Sequence, residues 1–313
     1  MNIAFEAPRL HTPSAVALGT FDGLHLGHRQ VLAAMSQQAQ AHALQAWVLT
    51  FKNHPATVLR PDAVPDQLTT WSEKVTLLQD AVALEGIALL NFDQALSEMP
   101  PEQFVTDILV GQMQAAHVAV GYNFRFGHQA RGDTDLLQRM GQELGFDVTV
   151  VPACEAQGQV VSSTRIRGLL QQGVLPEALE LLANAYLIQG EVIRGQGIAA
   201  KVLEVPTANI QLASDRKALP AYGVYACTVR LPGESLHRPG ILNLGLRPTF
   251  AGKTLSLEVY LMDFSGDLYG QTLEVYPRQR IRPEQRFDGP EALKKQIHQD
   301  IDRARELLAV TLG

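Results

Sequence analysis

Two histidines three residues apart, His25 and His28, stand on either side of Gly27 in the string Gly19-Thr-Phe-Asp-Gly-Leu-His-Leu-Gly-His. The string follows the short apolar run Ala15–Gly19 and precedes a helical pattern from Leu26 to about Ala41. A glycine at a strand end, then a loop, then a helix start, makes an anion site. Unpaired backbone N–H groups and the positive helix end point at the ligand, and small residues let a phosphate come close. At this spacing on a first helical turn both rings can face the same phosphates. No GxxxxGK[ST] string occurs and Gly19–Gly23 matches GxGxxG poorly, so this is not a P-loop. Taken alone, the two histidines fit a solvent-facing or structural pair as well. Zinc is disfavoured, because no third and fourth ligands stand at clear spacing.

Other strings carry comparable chemistry. Ser162-Ser163-Thr164-Arg165-Ile166-Arg167 sets arginines among hydroxyls at a helix start, a pattern that can grip phosphate through charge-assisted hydrogen bonds or simply cap a surface helix. Val120-Gly-Tyr-Asn123-Phe-Arg125-Phe-Gly127 and Thr50-Phe-Lys-Asn-His54-Pro55 each place polar side chains just past a strand. Farther on, Thr254, Ser256, Glu258 and Tyr260 alternate with leucines and a valine, so Glu258 reads as a strand glutamate. Pro206-Thr207-Ala-Asn209 reads as a turn entering a strand.

Positioning these groups falls to two different architectures. In the first half, strand patterns at Ala15–Gly19, Leu44–Phe51, Ile87–Phe92, His117–Gly121 and Phe146–Val151 alternate with helical ones at Leu26–Ala41, Trp71–Glu85, Gln103–Gly111 and Asp133–Leu144. That alternation predicts an α/β doubly wound parallel sheet, with ligands at the carboxyl ends of its strands. Ser162–Ala183 reads as helix in two pieces, broken around Gly173 and Pro176. After Tyr186 short β-rich runs take over at Leu187–Ile193, Gly223–Leu231, Arg238–Leu244, Leu255–Leu261 and Gln271–Val275, separated by Gly, Pro and Asp. They predict a small antiparallel barrel, closed off by a packing helix at Pro290–Leu312. The boundary falls near residues 184–186, giving domains 1–184 and 185–313.

Composition sets the outer limits. A chain of 313 residues fits two domains, and 46% apolar with 19% charged residues is an ordinary globular balance. The net charge of −6 gives no bulk field for nucleic acid or membrane. The two cysteines, Cys154 and Cys227, show no CxxC spacing and fit reduced thiols. The start lacks the pattern of a secretory leader and no apolar run is long enough to span a bilayer, so a cytoplasmic location is expected.

Together these strings resemble the bifunctional bacterial riboflavin kinase/FAD synthetase family. The resemblance runs through Gly19–His28, Phe51–Pro55, Gly121–Gly127 and Ser162–Arg167. It continues through Pro206–Ile210, Gly223–Ala226, Asn243–Phe250 and Glu258–Gly270. It implies that the N-terminal half transfers AMP from ATP to FMN. His25, His28 and Arg165 would be catalytic there; Gly19, Phe21, Asp22, Gly27, Asn123, Ser163, Thr164 and Arg167 would hold the nucleotide. It implies that the C-terminal half phosphorylates riboflavin, with Glu258 as general base and Lys201, Thr207 and Asn209 at the ATP phosphates. Thr207 and Asn209 would bind Mg2+, the implied cofactor. His54, Pro55, Arg125 and Arg247 would contact the flavin substrates. The chain departs from the family's glycine- and arginine-containing run before Pro-Thr-Ala-Asn: Ala200, Lys201 and Glu204 stand there. Those departures motivate an alternative, an FAD synthetase whose kinase-like domain is weak or only binds flavin. A non-catalytic flavin sensor is a further alternative, disfavoured by the retained His25, His28, Arg165 and Glu258.

Overall fold

The computed structural model describes residues 1–194, 207–249 and 252–312, with side chains except at 247–249, 252–253 and 310–312. Two compact units form, Met1–Ser163 and Thr164–Gly313.

In the first unit, β1 (Asn2–Ala4), β2 (Ser14–Leu18), β3 (Gln45–Phe51), β4 (Gly86–Leu90), β5 (Ala115–Gly121) and β6 (Asp147–Val151) make one sheet in the order β1-β4-β3-β2-β5-β6. All pairings in it are parallel. All five residues of β2 are buried, as its unbroken apolar run requires in a sheet covered on both faces. From β2 the chain builds outward through β3 and β4, then returns to place β5 and β6 on β2's other side. The strand order therefore reverses between β2 and β5, the crevice where such sheets bind ligands. The loops carrying His25, His54 and Asn123 leave the carboxyl ends of β2, β3 and β5, three adjacent strands.

The helices of this unit are α1 (Leu26–Ala41), α2 (Ala56–Leu59), α3 (Trp71–Ala81), α4 (Gln94–Glu98), α5 (Pro101–Gln103) and α6 (Thr134–Leu144). The helix expected over Trp71–Glu85 stops at Ala81, and Glu85, just before β4, is tied to β3 instead: its carboxylate accepts from Ala46 N and its own N–H donates to Ala46 O. The helix expected over Gln103–Gly111 runs on from α5 as a π-helix, Phe104–Gln112. Its wider turn, closed by Met113 N donating to Ile108 O, brings Phe104, Val105, Ile108, Leu109 and Met113 together into the core. Among the elements that escaped the sequence reading are edge strand β1, the short helices α2 and α4, and a short hairpin of β7 (Glu155–Ala156) and β8 (Gln159–Val160) turning at Gln157-Gly158 with positive φ at both.

The second unit opens with α7 (Ser163–Gln172) and α8 (Leu175–Leu181). Gly173, at φ 79°, ends the first helix and Pro176 sits in the first turn of the second. Six strands, β9 (Ile188–Ile193), β10 (Thr207–Leu212), β11 (Gly223–Arg230), β12 (His237–Thr249), β13 (Gly252–Leu261) and β14 (Thr272–Pro283), close into an antiparallel barrel in the order β10-β13-β12-β11-β14-β9. The Thr207–Asn209 string is thus the start of a strand. Helix α9 (Pro290–Leu312) packs Ala304 and Leu308 against Val224, Ala226, Ile241 and Met262. Arg282 on β14 reinforces it with a bidentate pair to buried Asp300, at 2.8–3.0 Å.

Candidate functional site

The Gly19–His28 loop is buried and conformationally strained. Phe21 and Leu24 carry φ of 48° and 45°, a region bulky side chains avoid at about 1–3 kcal/mol each. Both side chains are nearly inaccessible, so packing holds the loop in this shape. Its glycines are needed for proximity: a Cβ on Gly19 would lie 3.2 Å from the Phe21 ring, and one on Gly27 3.3 Å from the His25 ring. Asp22 does not point outward. Its Oδ1 accepts from Thr69 N at 3.0 Å, while Thr69 Oγ1 accepts from Gly23 N at 3.1 Å. Ser163 Oγ, at the end of the first unit, donates to the Asp22 carbonyl at 2.9 Å.

His25 is the N-cap of α1, its Nδ1 accepting from His28 N at 3.3 Å. An accepting Nδ1 puts the proton on Nε2, so His25 is a neutral ring with its donor directed away from the cap. Burial pulls its pKa down to about 4, against the attraction of Asp22. His28 stacks on it, ring centroids 3.6 Å apart and 14° from parallel, and meets Phe21 edge-on at 5.3 Å. Burial, His25 and Lys74 hold His28 well below the ordinary histidine range. Its Nδ1 is buried without a hydrogen-bond partner. The site therefore offers a neutral donor pair and an unsatisfied ring nitrogen beside the N-terminus of α1. That arrangement suits an incoming phosphate.

Of the other predicted residues in this unit, Asn123 is exposed just past β5, next along the edge from the histidine loop. Arg125 pairs with Asp133 at 3.2 Å on the surface. His54 accepts from Ala56 N through Nδ1 at 3.0 Å, next to Pro55 at the start of α2. In the second unit, Thr164, Arg165 and Arg167 lie in the first two turns of α7.

The barrel brings together a second set. Asn209 on β10 lies opposite Glu258 on β13, and Thr207 opposite Tyr260. Directly opposed residues share a face, so Thr207, Asn209 and Glu258 form one oxygen-bearing patch. Ser256 Oγ donates to Glu258 at 3.4 Å. Leu257, Val259 and Leu261 are buried on the other face. Among the described residues no cluster of three His, Cys, Asp or Glu could hold a metal. A cation here would be held by neutral oxygens plus the phosphates of a nucleotide, which fits Mg2+ and does not fit zinc. Lys201, with Ala200 and Glu204, lies outside the described residues, as does the side chain of Arg247, whose backbone pairs with Thr254.

Sequence reasoning passed over Thr69 and Lys74. The string Thr70-x-x-Glu73 was legible as a capping box, and the structure forms one, with Thr70 N donating to Glu73 at 2.7 Å. It marks a helix start, but nothing in it shows that this helix start grips a loop some fifty residues earlier.

The comparisons with known proteins match the two halves of the chain to two different family models. An FAD synthetase family model matches residues 7–165 and a riboflavin kinase model matches residues 182–308. A bifunctional riboflavin kinase/FMN adenylyltransferase from Escherichia coli (strain K12) is 36% identical over 296 residues, covering 95% of this chain and 93% of its own. One of the same name from Pseudomonas fluorescens is 37% identical over 300 residues, covering 96% and 94%. The crystal structure of a macrolide-efflux protein from Streptococcus pneumoniae superposes with a TM-score of 0.83 at 28% identity, covering 97% of this chain and 98% of its own. That name denotes efflux. Among the described residues here, no helix is long and apolar enough to cross a membrane.

Proposed function

The chain belongs to the bifunctional riboflavin kinase/FMN adenylyltransferase family, and from that premise we propose that it converts riboflavin to FMN and FMN to FAD, using ATP in both steps. It is a transferase with a kinase and a nucleotidyltransferase activity, and riboflavin, FMN and ATP are its substrates. We assign the adenylyl transfer to residues 1–184 and the phosphorylation to residues 185–313.

In adenylyl transfer a phosphate oxygen of FMN attacks the α-phosphorus of ATP, and the bond to the bridging oxygen breaks to release pyrophosphate. The nucleophile is already anionic, so the site needs no strong base; positioning and electrostatics suffice. The observation that carries this half is the stacked, neutral His25–His28 pair at the end of β2. His25 Nε2 and His28 donate to the phosphate oxygens on which charge builds. Ser163, Thr164, Arg165 and Arg167 hold the triphosphate and the leaving pyrophosphate, with Gly19, Phe21, Asp22 and Gly27 shaping the loop and Asn123 meeting the nucleotide from the β5 side. His54, Pro55 and Arg125 contact FMN.

In phosphorylation the ribityl hydroxyl attacks the γ-phosphorus of ATP, its proton passes to the Glu258 carboxylate, and ADP leaves. Asn209 and Thr207, on the same barrel face as Glu258, hold Mg2+ and the phosphates. The ion, when bound, neutralises charge on the transferring phosphoryl group. Lys201 and Arg247 complete the nucleotide and flavin contacts. Free thiols at Cys154 and Cys227 are consistent with a cytoplasmic enzyme. Purified protein given riboflavin, ATP and Mg2+ should accumulate FMN and then FAD. FAD formation from FMN without any FMN formation from riboflavin would support instead the reading in which the Ala200–Glu204 departures disable the kinase.

A further inference from the structure

Lys74 is a buried ammonium on α3 with no catalytic role assigned to it, 7% exposed among Val75, Leu77 and Leu78. Its Nζ donates to the Phe51 carbonyl at 2.9 Å and to Thr50 Oγ1 at 3.4 Å. Thr50 Oγ1 in turn donates to the Thr20 carbonyl at 3.1 Å. Asp22 attracts the ammonium electrostatically. Burial lowers its pKa to about 8. The buried ammonium is held by two hydrogen bonds to the end of β3 and faces the buried Asp22 carboxylate, so it ties the end of β3 to the histidine loop by charge as well as by shape.

The same helix start grips the histidine loop twice more, through Thr69 to Asp22 and Thr69 to Gly23. The held segment, Thr20 to Gly23, includes the strained Phe21 that packs on His28. Lys74 also lies close enough to act on His28 electrostatically. It lines a small cleft of roughly 10 Å³ with Thr20, Lys52 and His54, at the carboxyl edge of β2 and β3.

We propose that Lys74 is a positioning residue for adenylyl transfer: its ammonium is a fixed positive charge beneath the Thr20–Asp22 turn, and through Thr50 it fixes the turn that presents the histidine pair. The inference rests on the adenylyl-transfer reading of that loop. The charge biases the loop toward an anionic ligand, and the Lys74–Thr50–Thr20 chain keeps Phe21 and His28 in register.

The test compares Lys74→Met, Lys74→Gln (a donor without charge) and Thr50→Val with the full-length wild-type chain. FAD formation from FMN, FMN formation from riboflavin and thermal unfolding are measured for each. Lys74→Met and Lys74→Gln should lower kcat for FAD formation by roughly 10²-fold, the scale of a misplaced reacting geometry. FMN formation should be unchanged, and the loss of FAD formation should exceed any loss of folded protein. Thr50→Val should lower the same kcat in the same direction. If either Lys74 variant keeps wild-type kcat, raises only the KM for ATP, or loses FAD formation only in proportion to folded protein, the inference is overturned. A wild-type chain that makes no FAD at all overturns the adenylyl-transfer reading, and this inference with it.

Discussion

Substitutions at His28 separate a neutral-donor site from a cationic one. His28 is half-buried, stacked at 3.6 Å on His25 and edge-on to Phe21 at 5.3 Å, with its buried Nδ1 unpartnered. Losing two aromatic contacts removes about 0.5–1.5 kcal/mol each, and deleting an unsatisfied buried nitrogen returns about 1–3 kcal/mol. The two effects nearly cancel, so the first unit should unfold within a few degrees of the wild-type temperature. Catalysis should not be spared. Removing one preorganised donor from developing phosphate charge costs about 10²–10³ in rate, or roughly 2.7–4 kcal/mol. FAD formation from FMN and ATP should fall by that factor while FMN formation from riboflavin stays intact. Because both rings are held neutral, His28→Asn, a neutral donor, should recover part of the loss and His28→Lys should not. Recovery by lysine but not asparagine would refute the neutral-donor account; full FAD formation by His28→Ala would refute any catalytic role for the residue.

Three further outcomes follow from the same structure. Glu258→Gln removes the proposed proton acceptor opposite Asn209 and should lower FMN formation by about 10²–10⁴, leaving FAD formation from supplied FMN unchanged. His25 has a folded pKa of about 4 against an unfolded 6.5, so the unfolded chain binds more protons in that interval. Its contribution, roughly 3 kcal/mol, is present above pH 6.5 and is lost as pH falls toward 4; acid-dependent unfolding of the first unit over that window checks it. Asp300→Ala strands Arg282, 15% exposed, without its partner and should destabilise the barrel unit by about 3–5 kcal/mol in calorimetry or denaturant unfolding.

Periodicity carried most of the fold. The buried run of β2 and the Gly173/Pro176 break both stand where the residue patterns put them. What escaped were features set by partners distant in sequence. Helix α3 ends at Ala81 and Glu85 is tied to Ala46 instead, and no local pattern around Glu85 announces it. The π-helix satisfies a core that wants Phe104, Ile108 and Met113 on one side, a spacing that mimics an ordinary helix within one or two turns. At the site, residue types were legible and protonation was not. The sequence suggests histidines facing phosphate, whereas stacking and burial make them neutral donors. Asp22 stands in a loop string that suggests ligand contact, and in the structure its carboxylate also accepts from Thr69 and secures the turn.

The central claim is that one chain carries two separable transfers, and mixing two damaged chains tests it directly. His28→Ala given riboflavin, ATP and Mg2+ should stop at FMN, and Glu258→Gln should leave riboflavin unconverted. An equimolar mixture of the two should produce FAD, because each variant supplies the step the other lacks. If either folded variant lacks both activities, so that the mixture makes no FAD, the two chemistries are not divided between the histidine loop and the barrel face, and the account is contradicted.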